Sequence, residues 1–211
     1  MTTTRLDAAE LSSATAELAD LLIDTVDSGA SIGFLAPLDR ADAVAHWRER
    51  ADAVAAGRHT VWVARRGDRL LGTVALAFPD KPNSRHRAEL VKLMVHRDGR
   101  GQGVGRTLLT TAETGAAAAG ITLLHLDTET GSPAESLYLS AGWTRIGAIP
   151  DYAATPSGAL HPTTIFYKRL GTATEPPDPA EPPDPAEPLG AAEPPRSAAP
   201  RHSASPPRPA R

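Results

Sequence analysis

The stretch that most constrains the fold is residues 91–109, VKLMVHRDGRGQGVGRTLL, where an apolar strand leads through a glycine-rich turn into a helix. Its turn, residues 100–105, places three glycines two positions apart. Closely spaced glycines allow successive backbone N–H groups to point into one concavity, and a helix N-terminus adds partial positive charge. The stretch therefore predicts a strand–loop–helix unit that binds an anion, and a diphosphate held by main-chain amides fits this pattern.

Two common phosphate-binding loops do not fit these residues. A dinucleotide-binding GxGxxG that starts at Gly103 requires a third glycine where the chain has Leu108. A Walker A loop requires glycine in place of Arg100 and lysine in place of Arg106. The pattern that fits residues 100–105 is [Arg/Gln]-x-x-Gly-x-[Gly/Ala]. The alternative is a strand-to-helix turn without a ligand, and the apolar strand and helix-forming segment on either side favour the binding loop.

Composition narrows the class of protein. The chain has 211 residues, a formal net charge of −3 and no cysteine. The length predicts one domain, and the charge gives no reason to expect a nucleic-acid or membrane partner. Without cysteine the chain has no thiolate metal ligand and no cysteine-linked acyl intermediate. The N-terminal residues do not form a signal-peptide pattern, so we expect a cytoplasmic protein.

Hydrophobic periodicity predicts an α+β domain over residues 1–170, with one mixed sheet. The unit over residues 90–126 should be a right-handed parallel strand–helix–strand crossover. Residues 171–211 hold 13 of the 20 prolines and repeat EPPDPA, so we expect a disordered tail there. Strands are predicted at 2–6, 60–64, 70–78, 87–96, 121–127, 143–149 and 163–170, and helices at 8–27, 40–56, within 101–119 and at 132–140.

Two carboxylates near strand ends are candidates for proton transfer. Glu89 should share a strand face with Val91, Leu93 and Val95, and a carboxylate on such an apolar face is costly unless it is paired or functional. Asp127 ends the next apolar strand. If these strands are neighbours, the two carboxylates meet at one sheet edge, where one pKa would be raised enough to accept an amine proton.

Each of these residues also has a structural interpretation. Glu89 could pair with Arg87 or Lys92, and Asp127 could cap the loop that follows it. Tyr138, on a short helix, is a phenol that suits protonation of a departing thiolate, or it is a core tyrosine. The histidines show no metal-ligand spacing, so no metal site is expected. Neither Ser31 nor Ser132 has the sequence partners of a hydrolytic triad.

Three landmarks resemble the GNAT superfamily of acyl-CoA N-acyltransferases. They are the strand end at residues 93–95, the loop at 100–105, and Ala134-x-x-Leu137-Tyr138-x-x-x-Gly142-Trp143, which is similar to that superfamily's Asn-x-x-Ala-x-x-Leu-Tyr-x-x-x-Gly-Phe. Gly131 stands where the superfamily has Asn. A narrower resemblance, to tabtoxin-resistance acetyltransferases, covers roughly residues 11–170 and rests on segments 29–34, 81–83, 88–95, 124–129 and 152–168.

The resemblance implies direct transfer of an acetyl group from acetyl-CoA to an amine of a small antibiotic-like or amino-acid-like acceptor, with no metal. It implies a GNAT-like mixed, largely antiparallel central sheet flanked by helices and splayed between the strands ending at Val95 and Asp127. It places Glu89 and Asp127 at the acceptor and Tyr138 near the thioester sulfur. Acetyl-CoA would be held by Leu93, Met94, Val95, Arg100, Gly101, Gln102, Gly103, Val104, Gly105 and Arg106, and the acceptor by Ser31, Phe34, Lys81, Asn83, Tyr152 and His161, with Trp47 in the same pocket.

Two other functions stay open at this stage. The acceptor could be a peptide or protein amine, with the apolar loop at residues 29–37 shaping its groove. The protein could instead be a non-catalytic acyl-CoA sensor whose proline-rich tail engages a partner. Relatives of this type often pair, so a homodimer is a further expectation.

Overall fold

A seven-stranded sheet forms the centre of the computed structural model, which describes residues 1–171. Its order is β1-β2-β3-β4-β5-β7-β6, and every neighbouring pair is antiparallel except β4 and β5. The α+β class and the parallel pairing of β4 with β5 are therefore confirmed. Of the predicted tail, only Gly171 lies within the described residues. The strands are β1 Thr2–Leu6, β2 His59–Arg66, β3 Arg69–Ala77, β4 Arg87–Val95, β5 Leu123–Glu129, β6 Thr144–Ala154 and β7 Leu160–Arg169.

Five helices flank this sheet: α1 Ala8–Ser13, α2 Thr15–Asp27, α3 Arg40–Ala55, α4 Val104–Ala118 and α5 Pro133–Ser140. The prediction of one helix over residues 8–27 was wrong, because the helix is interrupted at Ala14. Ser12 and Thr15 lie on either side of the break. Their hydroxyl groups donate to the backbone carbonyls of Ala8 and Ser12, respectively. Such side-chain bonds compete with the helical backbone pattern.

Each face of the sheet carries its own hydrophobic core. One face packs on α4 and α5, with Leu108, Leu124 and Phe166 fully buried. The opposite face packs on α1, α2 and α3, with Leu22 and Trp47 fully buried. We call these the α4 face and the α3 face.

A β-bulge in β4 reverses the side-chain alternation halfway along the strand. Thr73 of β3 pairs with Met94 and Ala75 pairs with Val91, so one β3 residue opposes two β4 residues. Lys92, inside the bulge, has a left-handed φ of 54°. As a result Val91 and Met94 both face the α3 core, whereas Leu93 and Val95 pack on the α4 core.

The bulge corrects one prediction about Glu89. We expected Glu89 to share its face with Val91, Leu93 and Val95. It shares the α3 face with Val91 and Met94, because the extra residue places Leu93 and Val95 on the other side. Strict alternation fails wherever a strand carries one unpaired residue.

The sheet opens between β4 and β5, as predicted. The two strands pair only where residues 87–89 meet residues 123–125. Beyond Glu89 they diverge, and the β4 edge lacks a neighbouring strand on that side. We call this opening, which runs from Glu89 toward Val95 on β4 and from His125 toward Asp127 on β5, the gap.

Candidate active site

The glycine loop before α4 exposes the N-terminal amides of that helix. Gly101 and Gly103 have φ angles of 72° and 77°, in the region that L side chains rarely adopt. Gly103 is the N-cap residue of α4 and makes no side-chain capping bond. The first N–H groups of the helix therefore have no side-chain acceptor, and such groups together with the helix dipole favour an anion.

Side chains of the loop hold it against its surroundings. Arg100 donates from Nε to the Val95 carbonyl at 3.2 Å and from its guanidinium to the Ser28 hydroxyl at 2.7 Å. Gln102 donates to the Asp98 carbonyl and accepts from Arg66, each at 2.6 Å. These contacts fix the loop at the end of β4.

Gly105, in the first turn of α4, lies close to both α5 and β4. A Cβ at Gly105 would lie 3.3 Å from Leu137 and 3.6 Å from Val95, so a side chain here would crowd α5 and β4. Arg106, one residue on, donates to the Ser140 hydroxyl of α5 at 2.5 Å. Gly105 and Arg106 thus tie together the two helices on the α4 side of the gap.

Glu89 lies in the middle of a row of paired residues that crosses the α3 face, and all of them except Ala77 are polar. In the strand register, His59 pairs with Ala77, Ala77 with Glu89, Glu89 with His125, and His125 with Tyr167. Residues directly opposite each other on neighbouring strands project to the same face. Among residues 1–171, no direct ion pair joins Glu89 to a cation. The salt-bridge interpretation of Glu89 therefore finds no support in these contacts.

The charge of Asp127 shifts the pKa values of the same basic side chains as the charge of Glu89. Burial lowers the pKa of His125, while the charges of Glu89 and Asp127 both raise it and Arg87 lowers it. The His125 Nε2 lies 2.7 Å from an Arg87 guanidinium nitrogen. Both carboxylates thus lie near one imidazole at the point where β4 and β5 separate. Asp127 itself is exposed.

Tyr138 approaches the gap from the α4 face. It is only 5% exposed and packs on the rings of Trp143 and Phe166, with centroids 5.7 and 6.0 Å away. Burial and the charge of Asp127 raise its pKa well above that of an ordinary phenol, so the hydroxyl keeps its proton at neutral pH. By its packing Tyr138 is a core residue, as one of the two sequence interpretations predicted.

Lys92, which the sequence indicated only as a pairing partner for Glu89, lies close to the two carboxylates. Its Nζ donates to the Ile32 carbonyl at 2.6 Å and lies 5.1 Å from the Phe34 ring centroid. Burial lowers its pKa to about 8, with Arg50 acting in the same direction and Asp127 and Glu89 against it. Lys92 is the only charged residue in the apolar run 90–95, and this is a signal that could have identified it. Strict strand alternation, however, places its side chain on the opposite face from Glu89.

A loop and a hairpin meet on the α3 side of the gap. The loop after α2 carries Ser31, whose hydroxyl donates to the Ala154 carbonyl at 3.3 Å. The backbone N–H of Ala36 donates to the Pro156 carbonyl at 2.8 Å. These bonds join the α2–α3 loop to the β6–β7 hairpin, so the elements on both sides of the gap are connected.

The predicted acceptor residues divide into two groups. Ser31 and Phe34 lie in the α2–α3 loop, and the hairpin carries His161, which is 2.8 Å from Glu129, and Tyr152, which is 53% exposed. Lys81 and Asn83 are exposed and lie just before β4, at the end of the sheet where β4 and β5 still pair. The first four therefore lie on the two elements that meet, with Ser31 in the contact itself, whereas Lys81 and Asn83 lie at the closed end.

Within residues 1–171 there is no group of His, Cys, Asp or Glu side chains arranged to hold a metal ion. None of the helices in that part of the chain is long and apolar enough to cross a membrane.

Sequence comparison connects this geometry to known enzymes. The model of the Acetyltransferase (GNAT) family matches residues 31–143. "N-acetyltransferase 8F1" from Rattus norvegicus is 36% identical over 88 residues, which are 41% of this chain and 40% of that protein. The match thus spans less than half of the length of this curated relative.

Solved structures share the fold at low identity. A ribosomal-protein-alanine N-acetyltransferase from Brucella melitensis is 24% identical with a TM-score of 0.66, covering 81% of this chain and 100% of its own. A GNAT superfamily phosphinothricin acetyltransferase from Sinorhizobium meliloti, solved in complex with acetyl-CoA, is 22% identical with a TM-score of 0.65, covering 86% and 97%. At this level of identity the likeness concerns the fold.

Proposed function

Because this chain belongs to the acetyltransferase (GNAT) family, we propose that it transfers an acetyl group from acetyl-CoA to an amine of a small, amino-acid-like acceptor. The observation that carries the proposal is the gap itself. An uncapped helix N-terminus and a glycine loop follow β4 at one end, and Glu89 and Asp127 lie near His125 where β4 and β5 separate, with the charge of Asp127 also acting on Tyr138.

The donor fits along the open edge of β4. The diphosphate of acetyl-CoA binds the amides of residues 101–105, which have no side-chain cap. Leu93, Met94 and Val95 offer main-chain groups to the pantetheine arm, because β5 has left this edge unpaired. A free N–H on this edge polarises the thioester carbonyl. Side chains of Arg100, Gln102 and Arg106 support the loop.

The reaction needs one proton acceptor and one proton donor. The amine attacks the thioester carbonyl carbon, so that a C–N bond forms and the C–S bond breaks. Glu89, assisted by Asp127, takes the proton that leaves the nitrogen. Tyr138, whose phenol stays protonated, gives a proton to the departing sulfur. The absence of cysteine from the chain agrees with direct transfer rather than a cysteine-linked acyl-enzyme.

A small acceptor is favoured over a peptide by the contact between the α2–α3 loop and the hairpin. The bonds from Ser31 and Ala36 to the hairpin cross the α3 side of the gap, where an extended peptide would otherwise lie. The resemblance to tabtoxin-resistance enzymes supports an amino-acid-like compound, with resistance or self-protection as the role. A cytoplasmic location and a homodimer remain predictions.

The replacement Glu89→Gln tests the proposal. We expect kcat to fall by about 10²- to 10⁴-fold, the usual contribution of a general base, while the Kd of acetyl-CoA stays unchanged. The assay is thiol release from acetyl-CoA with a panel of amino acids, amino-acid-like antibiotics and short peptides.

Three outcomes would contradict parts of this proposal. Near-wild-type kcat in the variant removes Glu89 from the proton transfer. Faster turnover of peptides than of small amines makes the acceptor a peptide. Tight binding of acetyl-CoA with no thiol release for any amine identifies a sensor rather than an enzyme.

A further inference from the structure

Four buried nitrogen atoms near the α3 face lack a hydrogen-bond partner. They are Nε2 of His46, Nε1 of Trp47 and Nε of Arg50, all on α3, together with Nδ1 of His59, the first residue of β2. Buried polar atoms are nearly always satisfied in native proteins, so an unsatisfied cluster calls for an explanation. Nε1 of Trp47 and Nε of Arg50 can only donate, and each imidazole nitrogen donates in one of its two tautomers, so an acceptor of hydrogen bonds can satisfy all four.

Arg50 is the centre of this cluster. Its charge lowers the pKa values of three separate bases, His46, His59 and Lys92, so it lies near all of them. Among residues 1–171, no carboxylate forms an ion pair with the Arg50 guanidinium. A guanidinium with a buried Nε and no anion partner is costly, and a bound oxyanion would offset that cost.

The two histidines are neutral donors or acceptors at neutral pH. Burial, followed by Arg50, lowers the pKa of each to about 4. His46 lies one helical turn before Arg50 on the same helix face, and its ring meets the Phe34 ring edge-on at 5.1 Å. The cluster therefore reaches from β2 to the α2–α3 loop that borders the gap.

The position of this cluster relative to Glu89 defines what it can bind. His59 and Glu89 belong to the same row, separated by β3, so they lie about 10 Å apart at the usual strand spacing. Lys92 feels Arg50 on one side and Glu89 with Asp127 on the other. The α3 side of the gap thus has a cationic end at Arg50 and a carboxylate end at Glu89.

We propose that Arg50, with Lys92, His46 and His59, forms an oxyanion subsite that binds a carboxylate or similar anionic group of the acceptor while Glu89 receives its amine. This inference rests on the proposed function and narrows it, since the acceptor must carry both an amine and an anion. An anion that binds without being acetylated would use the same side chains, so the test separates the two sources.

The binding arm uses propionate and its neutral isostere propionamide with the full chain. Imidazole ¹H–¹⁵N spectra at pH 7 follow His46 and His59, which do not titrate there. We expect saturable shifts of both rings with propionate and none with propionamide. Arg50→Gln should abolish the shifts, whereas Arg48→Gln, an exposed arginine on the same helix, should retain them. Equal shifts with both probes, or shifts that survive Arg50→Gln, would overturn the subsite.

The kinetic arm compares α-, β- and γ-amino acids with their primary amides. We expect kcat/KM to favour the carboxylate member by about 10- to 100-fold, the value of a charge-assisted hydrogen bond, and Arg50→Gln to reduce the preference to about threefold or less. Arg50→Lys should keep part of it.

The two arms fail in different ways. Equal rates for acids and amides overturn the anionic acceptor but leave acetyl transfer in place. No turnover with any amine, alongside Arg50-dependent propionate shifts, supports the anion site and defeats the proposed function.

Discussion

Lys92 affects both the backbone conformation of β4 and the distribution of charge near Glu89. Its left-handed φ of 54° creates the bulge, and its Nζ reaches the Ile32 carbonyl at 2.6 Å. A non-glycine residue in this conformation costs about 1–3 kcal/mol and persists where the surroundings hold it. Here the bond to the α2–α3 loop holds the side chain, and the charges of Glu89 and Asp127 both act on its amine.

Tyr138→Phe should separate the two roles of this tyrosine. The ring stays packed on Trp143 and Phe166, so we expect the melting temperature and the Kd of acetyl-CoA to change little. Loss of the phenolic proton should lower kcat by about 10²-fold. Single-turnover thiol release measures the chemical step directly. Wild-type kcat in this variant would make Tyr138 a core residue only.

At the residue scale, strand position and motif led to Glu89, Asp127 and Tyr138, whose roles stay predictions. The side chains whose environment depends on packing were missed. Arg50 and His46 lie on a helix whose apolar side is read as ordinary core, and nothing in the spacing shows that their nitrogens stay unsatisfied. Burial of a polar atom is a property of the assembled fold.

Among the elements, the glycine loop offers a matched pair of variants. Gly103 and Gly67 have φ angles of 77° and 59°, and a Cβ at either would meet nothing within 4 Å. Alanine at either position should destabilise the fold by about 1–2 kcal/mol through backbone strain alone. Only Gly103→Ala should also raise the KM for acetyl-CoA, because only Gly103 begins α4; Gly67 lies in the β2–β3 turn.

Melting temperatures and acetyl-CoA KM values for both variants check this expectation. A raised KM in Gly67→Ala, or an unchanged KM in Gly103→Ala, would show that the loop does not position the donor.

Element boundaries were predicted least well at the β6–β7 hairpin. The predicted strands stop at residue 149 and start at residue 163, but β6 continues to Ala154 and β7 begins at Leu160. Pro150 and Pro162 break the strand pattern in the sequence. Both lie at the register shift between Ile149 and Ala153, where no ladder bond is needed, and β6 is an edge strand. Proline therefore marked a bulge rather than an end.

At the scale of the whole molecule, one sheet separates two hydrophobic cores, and the gap interrupts the sheet between them. The α4 core contains Tyr138 and Val104, which follows the glycine loop, and Ile32 and Phe34 of the α2–α3 loop pack on the α3 core. Helix and strand order predicts the mixed sheet and the parallel crossover, but not which helices cover each face. It does not predict how deeply α3 buries polar side chains, and that burial couples the stability of the fold to pH.

The folded state should become less stable between pH 7 and pH 5, because burial keeps His46 and His59 neutral. Their pKa is about 4 in the folded protein and 6.5 in the reference state, so the unfolded chain binds more protons in this window. The free energy of unfolding therefore falls as pH falls below 6.5. Allowing for solvent screening around rings that are only partly buried, we expect a loss of about 1–2 kcal/mol for the pair by pH 5.

Urea denaturation at pH 7 and pH 5 measures this loss in the free energy of unfolding. The experiment compares the wild type with the double variant His46→Gln/His59→Gln. The double variant should lose about 1–2 kcal/mol less than the wild type between the two pH values, whereas His161→Gln, on the exposed hairpin, should follow the wild type. Asp24 does not confuse the result: although burial raises its pKa, the bonds from Arg97 lower it below 3.8, outside the window. Parallel pH profiles for wild type and double variant would mean that these histidines are not buried neutral, and would also remove the polar environment on which the oxyanion subsite depends.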